Sequence, residues 1–134
     1  MATHAVTSQD FNQVVESNDL VFVDFWATWC GPCRAFGPTF EKASEANPDV
    51  YFAKVDIDQN PDLAAAAKVQ AVPTLMVVKK QQTIFQQAGA LRASDLDDLI
   101  SQAKALDMDA AASDGNTASS GDAKVKTPSS QSER

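Results

Sequence analysis

The sequence predicts one α/β domain of three layers, with helices on both faces of a central sheet, over residues 1–106. Three observations carry that prediction. Leu20–Trp26 is apolar apart from Asp24, and a near-continuous apolar run suits a strand covered on both faces. Apolar residues at helical spacing alternate with such runs, giving the order βαβαββα. Finally, 134 residues with 44% hydrophobic content supply one core, and no stretch approaches the ~20 apolar residues of a membrane span.

Thr7 and Asp10 form a capping-box pattern ahead of Phe11, Val14 and Val15, whose i, i+3, i+4 spacing marks one apolar helical face. The strand at Leu20–Trp26 follows. Phe36, Phe40 and Ala43 then recur at i, i+4, i+7, so a helix runs on from the cysteines that precede them. Pro38 lacks an N–H and crowds the carbonyl of Arg34; it is expected to kink that helix without ending it. Residues 50–57 read as the second strand. Asn60 and Pro61 supply an N-cap and a first helical position for a short helix through Lys68. Residues 72–78 and 83–87 read as two further strands joined through 79–82. Lys80 and Gln81 argue against a two-residue type I′ turn between them, since neither populates positive φ readily. Ser94 is expected to cap the last helix, with Asp95, Asp97 and Asp98 in its first turn and Leu96, Leu99, Ile100, Ala103 and Leu106 on one face. From Asp107 onward Ser, Ala, Asp, Gly and Thr dominate, so residues 107–134 are expected to be a disordered acidic tail.

The chain's only cysteines stand in Trp29-Cys30-Gly31-Pro32-Cys33. Structural zinc needs two further ligands, normally a second cysteine pair or two histidines, and the one histidine is His4 near the N-terminus. As a staple the pair closes too small a loop to restrict the unfolded chain much. Redox exchange is the chemistry that remains. The first residues carry no basic segment followed by an apolar one, so a cytoplasmic location is expected, where a lone Cys-x-x-Cys cycles instead of staying bridged. A formal charge of −7 argues against nucleic acid as a partner.

Disulfide exchange needs an attacking thiolate, a second thiol to release the mixed disulfide, and a group to manage the second proton. Cys30 immediately precedes a helix whose free N–H groups and positive dipole end favour an anion, which makes it the nucleophile. Cys33 lies in the first turn, is expected to be the more buried, and stays protonated until it resolves the adduct. Gly31 and Pro32 place no charge beside Cys30, so the thiolate is only mildly stabilised and the pair is expected to reduce others. Asp24 interrupts the apolar strand; buried, it would have a raised pKa and could exchange a proton with Cys33. The other reading of Asp24 is a solvated carboxylate at a strand end. Lys54 alone reads as a surface lysine, and Trp26 as core.

Residues 23–33 (Val-Asp-Phe-Trp-Ala-Thr-Trp-Cys-Gly-Pro-Cys), then 54–61 (Lys-Val-Asp-Ile-Asp-Gln-Asn-Pro), Val72-Pro73-Thr74 and Gly89, resemble the thioredoxin family over roughly residues 5–106. That resemblance implies a thioredoxin fold with a mixed central sheet, acting as a monomer. It implies reduction of disulfide-containing client proteins, re-reduction by a thioredoxin reductase, and no bound cofactor beyond the Cys30–Cys33 pair. It makes Lys54 the charge partner of Asp24 and Pro73 a cis-proline beside the disulfide. Trp29, Gly31, Pro32, Val72, Pro73, Gly89 and Ala90 would then rim a client groove. Asp58 either holds the Trp26 indole or is solvated. Two rival readings are an oxidase or isomerase of an export compartment, and a non-catalytic clamp that serves a partner as a rigid subunit.

Overall fold

The computed structural model describes residues 2–108. The tail assigned to residues 107–134 therefore lies, from residue 109 onward, outside the described residues. Two units divide the chain, Met1–Lys104 and Ala105–Arg134, and the first holds the sheet and the site.

Among the described residues five strands and four helices follow in the order β1 (Thr3–Ala5), α1 (Phe11–Ser17), β2 (Leu20–Trp26), α2 (Gly31–Ala46), β3 (Tyr51–Asp56), α3 (Pro61–Ala66), β4 (Thr74–Lys79), β5 (Gln82–Ala88) and α4 (Ala93–Ala105). The sheet order is β1-β3-β2-β4-β5, with β1, β3 and β2 parallel and β4 and β5 each antiparallel to its neighbours. This is the α/β thioredoxin architecture with a mixed sheet that the sequence predicts, plus the edge strand β1, which it does not.

Alternation along β2 places Leu20 and Phe22 on one face and Val21, Val23 and Phe25 on the other, all buried. The first face packs with Phe36, Phe40 and Ala43 of α2 and Leu96, Ile100 and Ala103 of α4. Phe40 meets Phe52 edge-on at 5.2 Å between ring centres, a favourable aromatic geometry. The second face packs against Phe11, Val14 and Val15 of α1 and Leu63 of α3. Asp24 falls on the first face, in register with Lys54 of β3 and Leu75 of β4. Pro38 lies inside α2 without ending it, as expected.

Several local expectations fail for identifiable reasons. No capping box forms at α1: the Thr7 hydroxyl donates to the Asp10 carboxylate at 3.0 Å, and Asp10 occupies the cap position without bonding the helix through its side chain. Asn60 does precede α3, yet its side-chain oxygen accepts from the Ser8 N–H at 3.0 Å and its amide donates to the Asp56 carbonyl at 3.1 Å. Its side chain ties β3 to the chain entering α1 and caps nothing. Helix α3 ends before Lys68, in a Schellman motif: the Lys68 N–H donates to the Ala65 carbonyl and the Val69 N–H to the Ala64 carbonyl, with Lys68 at φ 60°. Ser94 lies inside α4, whose first backbone bond runs from the Leu96 N–H to the Arg92 carbonyl at 3.0 Å, so Arg92 holds the cap position. Only Asp95 of the three aspartates is in the first turn, and Leu106 lies beyond the helix, exposed. Lys79, read as the start of a loop, ends β4 as a buried residue; its ammonium donates to the carbonyls of Ala103 and Lys104 at 2.7 and 3.1 Å, satisfying the last turn of α4.

The hairpin overturns its expectation most plainly. Lys79 pairs with Gln82, and the two residues between them, Lys80 and Gln81, have φ of 49° and 68°. This is the type I′ geometry that their side chains disfavour. A two-residue loop between right-twisted strands imposes that turn whatever residues fill it, and a bond from the Lys80 N–H to the Asp19 carbonyl at 2.8 Å anchors it. Replacing Lys80 and Gln81 by Asn and Gly is expected to stabilise the fold by about 1 kcal/mol, read as a higher urea midpoint at unchanged slope. An unchanged midpoint would mean that the two residues carry no strain there.

Candidate active site

The site forms where β2 runs out into the start of α2. Cys30 has extended backbone (φ −92°, ψ 114°) and occupies the N-cap position of α2, with its sulfur accepting the Cys33 N–H at 3.1 Å. A cysteine sulfur thus stands where Ser or Asp usually satisfies a free helix-start donor, and in the reduced protein that donor together with the positive end of the dipole favours negative charge on the Cys30 sulfur. Pro32 fits the first turn because its fixed φ is helical and its missing N–H has no partner to lose there. The Cα atoms of Cys30 and Cys33 are 5.3 Å apart and a disulfide joins the two sulfurs.

Burial does not separate the two cysteines in the expected sense. Cys30 is 3% exposed and Cys33 6%, so in the oxidised protein both are buried and Cys30 is not the more open. The Cys30 sulfur is covered from the side of β4: it lies 3.5 Å from the Val72 carbonyl oxygen. The asymmetry between the two sulfurs is instead one of hydrogen bonding, since the Cys33 N–H points at the sulfur of Cys30.

Val72-Pro73 is a cis peptide, in agreement with what the family resemblance implies for Pro73. Just past the end of β5, the Gly89 N–H donates to the Pro73 carbonyl at 2.8 Å. Gly89 has φ 105°, and an added Cβ would meet no atom within 4 Å. The backbone conformation, not lack of space, calls for glycine there. Cys30, Val72, Pro73 and Gly89 are thereby chained together at one end of the sheet. Around them Gly31, Pro32 and Ala90 are exposed, Val72 is half-buried and Pro73 is buried. Trp29 is 64% exposed. Its indole N–H donates to the Asp58 carboxylate at 2.9 Å, and the Asp58 N–H donates to Asp56 Oδ1 at 2.9 Å. Asp58 therefore holds Trp29, not Trp26. Arg34, which the sequence left unassigned, donates from Nη2 to the Thr28 carbonyl at 2.9 Å and ties α2 to the loop carrying Trp29.

On β2, Asp24 is 1% exposed, and neither carboxylate oxygen has a hydrogen-bond partner among the described residues. Burial pushes its pKa up to about 7, against a smaller downward pull from the positive charge of Lys54. The solvated reading of this residue is thus excluded. Lys54 is half-buried and shares the face of Asp24, with its Nζ 5.2 Å from the centre of the Trp26 ring. Trp26, read from sequence as core, is half-buried and packs on Ala27, Cys30 and Cys33. Among the described residues no group of three or more His, Cys, Asp or Glu side chains could hold a metal ion, and no helix is long and apolar enough to cross a membrane.

Residues 2–102 match the thioredoxin family model. The putative thioredoxin 2 of Streptomyces coelicolor is 51% identical over 108 residues, covering 81% of this chain and 81% of its own length. The thioredoxin of Mycoplasma pneumoniae is 37% identical over 102 residues, covering 76% of this chain and all of its own. Among solved structures, a mutant thioredoxin from Halobacterium salinarum superposes with a TM-score of 0.74 at 34% identity, covering 78% of this chain and 93% of its own.

Proposed function

Because this chain belongs to the thioredoxin family and is a thiol–disulfide oxidoreductase of the protein-disulfide-reducing kind, we propose a cycle in which Cys30 attacks, Cys33 resolves and Asp24 takes the proton between the two steps. In the reduced protein the Cys30 thiolate attacks one sulfur of a client disulfide. A Cys30–client bond forms and the client's other sulfur leaves as a thiolate. Cys33 gives its proton to the Asp24 carboxylate, directly or through water, and the resulting thiolate attacks the Cys30 sulfur. The second client thiolate leaves, the client has gained two electrons, and the Cys30–Cys33 disulfide is restored. The observation that carries this order is the Cys33 N–H held at 3.1 Å from the Cys30 sulfur, because it stabilises a thiolate at Cys30 and offers none to Cys33.

The client lies over Trp29, Gly31 and Pro32 and against Val72, Pro73, Gly89 and Ala90, an apolar surface with backbone groups beside the sulfurs. Lys54 supplies positive charge near Asp24. A thioredoxin reductase returns the two electrons, no cofactor is needed beyond the cysteine pair, and the protein works in the cytoplasm, where disulfides are transient. Equilibration of the pair with a glutathione or dithiothreitol buffer tests the reducing direction. A potential near that of a reducing thioredoxin, about −270 mV, is expected; one near about −120 mV would make the protein an oxidant.

A further inference from the structure

Three side chains on one face of the sheet lie in sequence: Asp24 and Trp26 on β2, and Lys54 on β3 in register with Asp24. Strand alternation puts Asp24 and Trp26 on the same side, two residues apart, so a long side chain from position 54 can reach either of them. It is found on the ring. The ammonium lies 5.2 Å from the Trp26 ring centre, within cation–π range, while both Asp24 oxygens are without a hydrogen bond among the described residues. A lysine opposite a buried carboxylate would otherwise form an ion pair with it, because direct contact offers the largest Coulomb gain in a poorly hydrated place.

We infer that Trp26 is a positioning residue: its indole holds the Lys54 ammonium off the Asp24 carboxyl and so keeps that carboxyl free to accept a proton. The inference rests on the reading of Asp24 as the proton acceptor, and it assigns the tuning of that acceptor to the aromatic residue two positions along. A carboxylate paired directly with lysine would be a poor base for the Cys33 thiol; one that feels the ammonium only through space keeps its proton affinity. Leu75 of β4 lies in register with Asp24, and the apolar cluster on this face of the sheet is completed by Phe36 of α2 and by Leu96 and Ile100 of α4. Lys79 lies on the same face in register with Leu20, but its ammonium is spent on the α4 carbonyls. Asp56, in register with Trp26, faces Lys54 and already accepts the Asp58 N–H.

The test is direct titration of the Asp24 carboxyl carbon by NMR in the oxidised protein, for wild type, Trp26→Leu, Lys54→Met and the double variant. Trp26→Leu frees the ammonium to pair with Asp24, and the Asp24 pKa should fall by about one pH unit or more. Lys54→Met should raise it. In the Lys54→Met background Trp26→Leu should produce no fall, since the ring acts through the lysine. Trp26→Phe keeps a weaker cation–π partner and should give an intermediate value, which serves as the measurement if the leucine variant does not fold. A pKa that is unchanged or raised in Trp26→Leu would overturn the inference, the latter placing the freed ammonium in solvent or on Asp56. An equal fall with and without Lys54 would also overturn it, because water entry alone would then explain the change. These titrations do not depend on turnover; they remain decisive if Asp24 proves not to be the proton acceptor, a matter settled separately by the rate of the Asp24→Asn variant.

Discussion

Asp24→Asn is expected to be more stable than the wild type above pH ~7 by roughly 2–4 kcal/mol, equal or slightly less stable below pH ~4, and slower in turnover by up to about a hundredfold. Folding buries the Asp24 carboxyl without a hydrogen-bond partner among the described residues and raises its pKa from 3.8 to about 7. The folded state therefore binds this proton more tightly than the unfolded state. Its contribution is fully present below the unfolded value and is lost as pH rises toward and through the folded one. Asparagine cannot ionise, so the variant escapes that loss, although its amide donors enter the same partnerless place and cost something at low pH. Asp49 and Asp62 act in the opposite sense: their lysine and serine partners lower their pKa values, and their stabilisation is lost as pH falls. They are common to both proteins and drop out of the difference. Urea unfolding of the two proteins across pH 3–9 checks this, and a stability difference that does not grow between pH ~4 and ~7 would mean that the folded carboxylate stays hydrated.

The parts of the fold that could be read in the sequence are those specified by neighbouring residues. Leu20–Trp26 declares itself as a strand because every position but Asp24 is apolar, and burial of Asp24 follows from the same run. Cys30 at a helix start follows from the apolar spacing of Phe36, Phe40 and Ala43. What escaped depends on residues distant in the chain. β1 is three residues with no pattern of its own; it exists because it pairs with β3 and because Thr3 donates to Glu41 of α2 at 2.6 Å. The placement of Lys54 over Trp26 requires the register of β2 on β3, and Asp58 meets Trp29 and not Trp26 for a similar reason: the loop after β3 returns to the end of β2. At Lys68 and at Lys80 and Gln81 local preference points one way and the structure goes the other. A helix end and a two-residue hairpin set positive φ there, and ordinary side chains comply at some cost.

The order of attack is the centre of this account, and it makes opposite demands on the two sulfurs. Cys33→Ser leaves a thiol at the helix N-cap that can attack a client but has no neighbour to release the adduct, so it should hold clients as mixed disulfides in high yield. Cys30→Ser leaves a thiol in the first helical turn, without the donor that its own N–H supplied to position 30. That variant should trap few clients and react slowly with an alkylating reagent near neutral pH, and neither variant should turn over. The decisive measurement is the yield of client adducts from each variant on a non-reducing gel, after incubation with the same oxidised client. Strong adduct formation by Cys33→Ser with little from Cys30→Ser is the predicted result, whereas equal trapping by both, or stronger trapping by Cys30→Ser, would contradict the assignment of Cys30 as nucleophile.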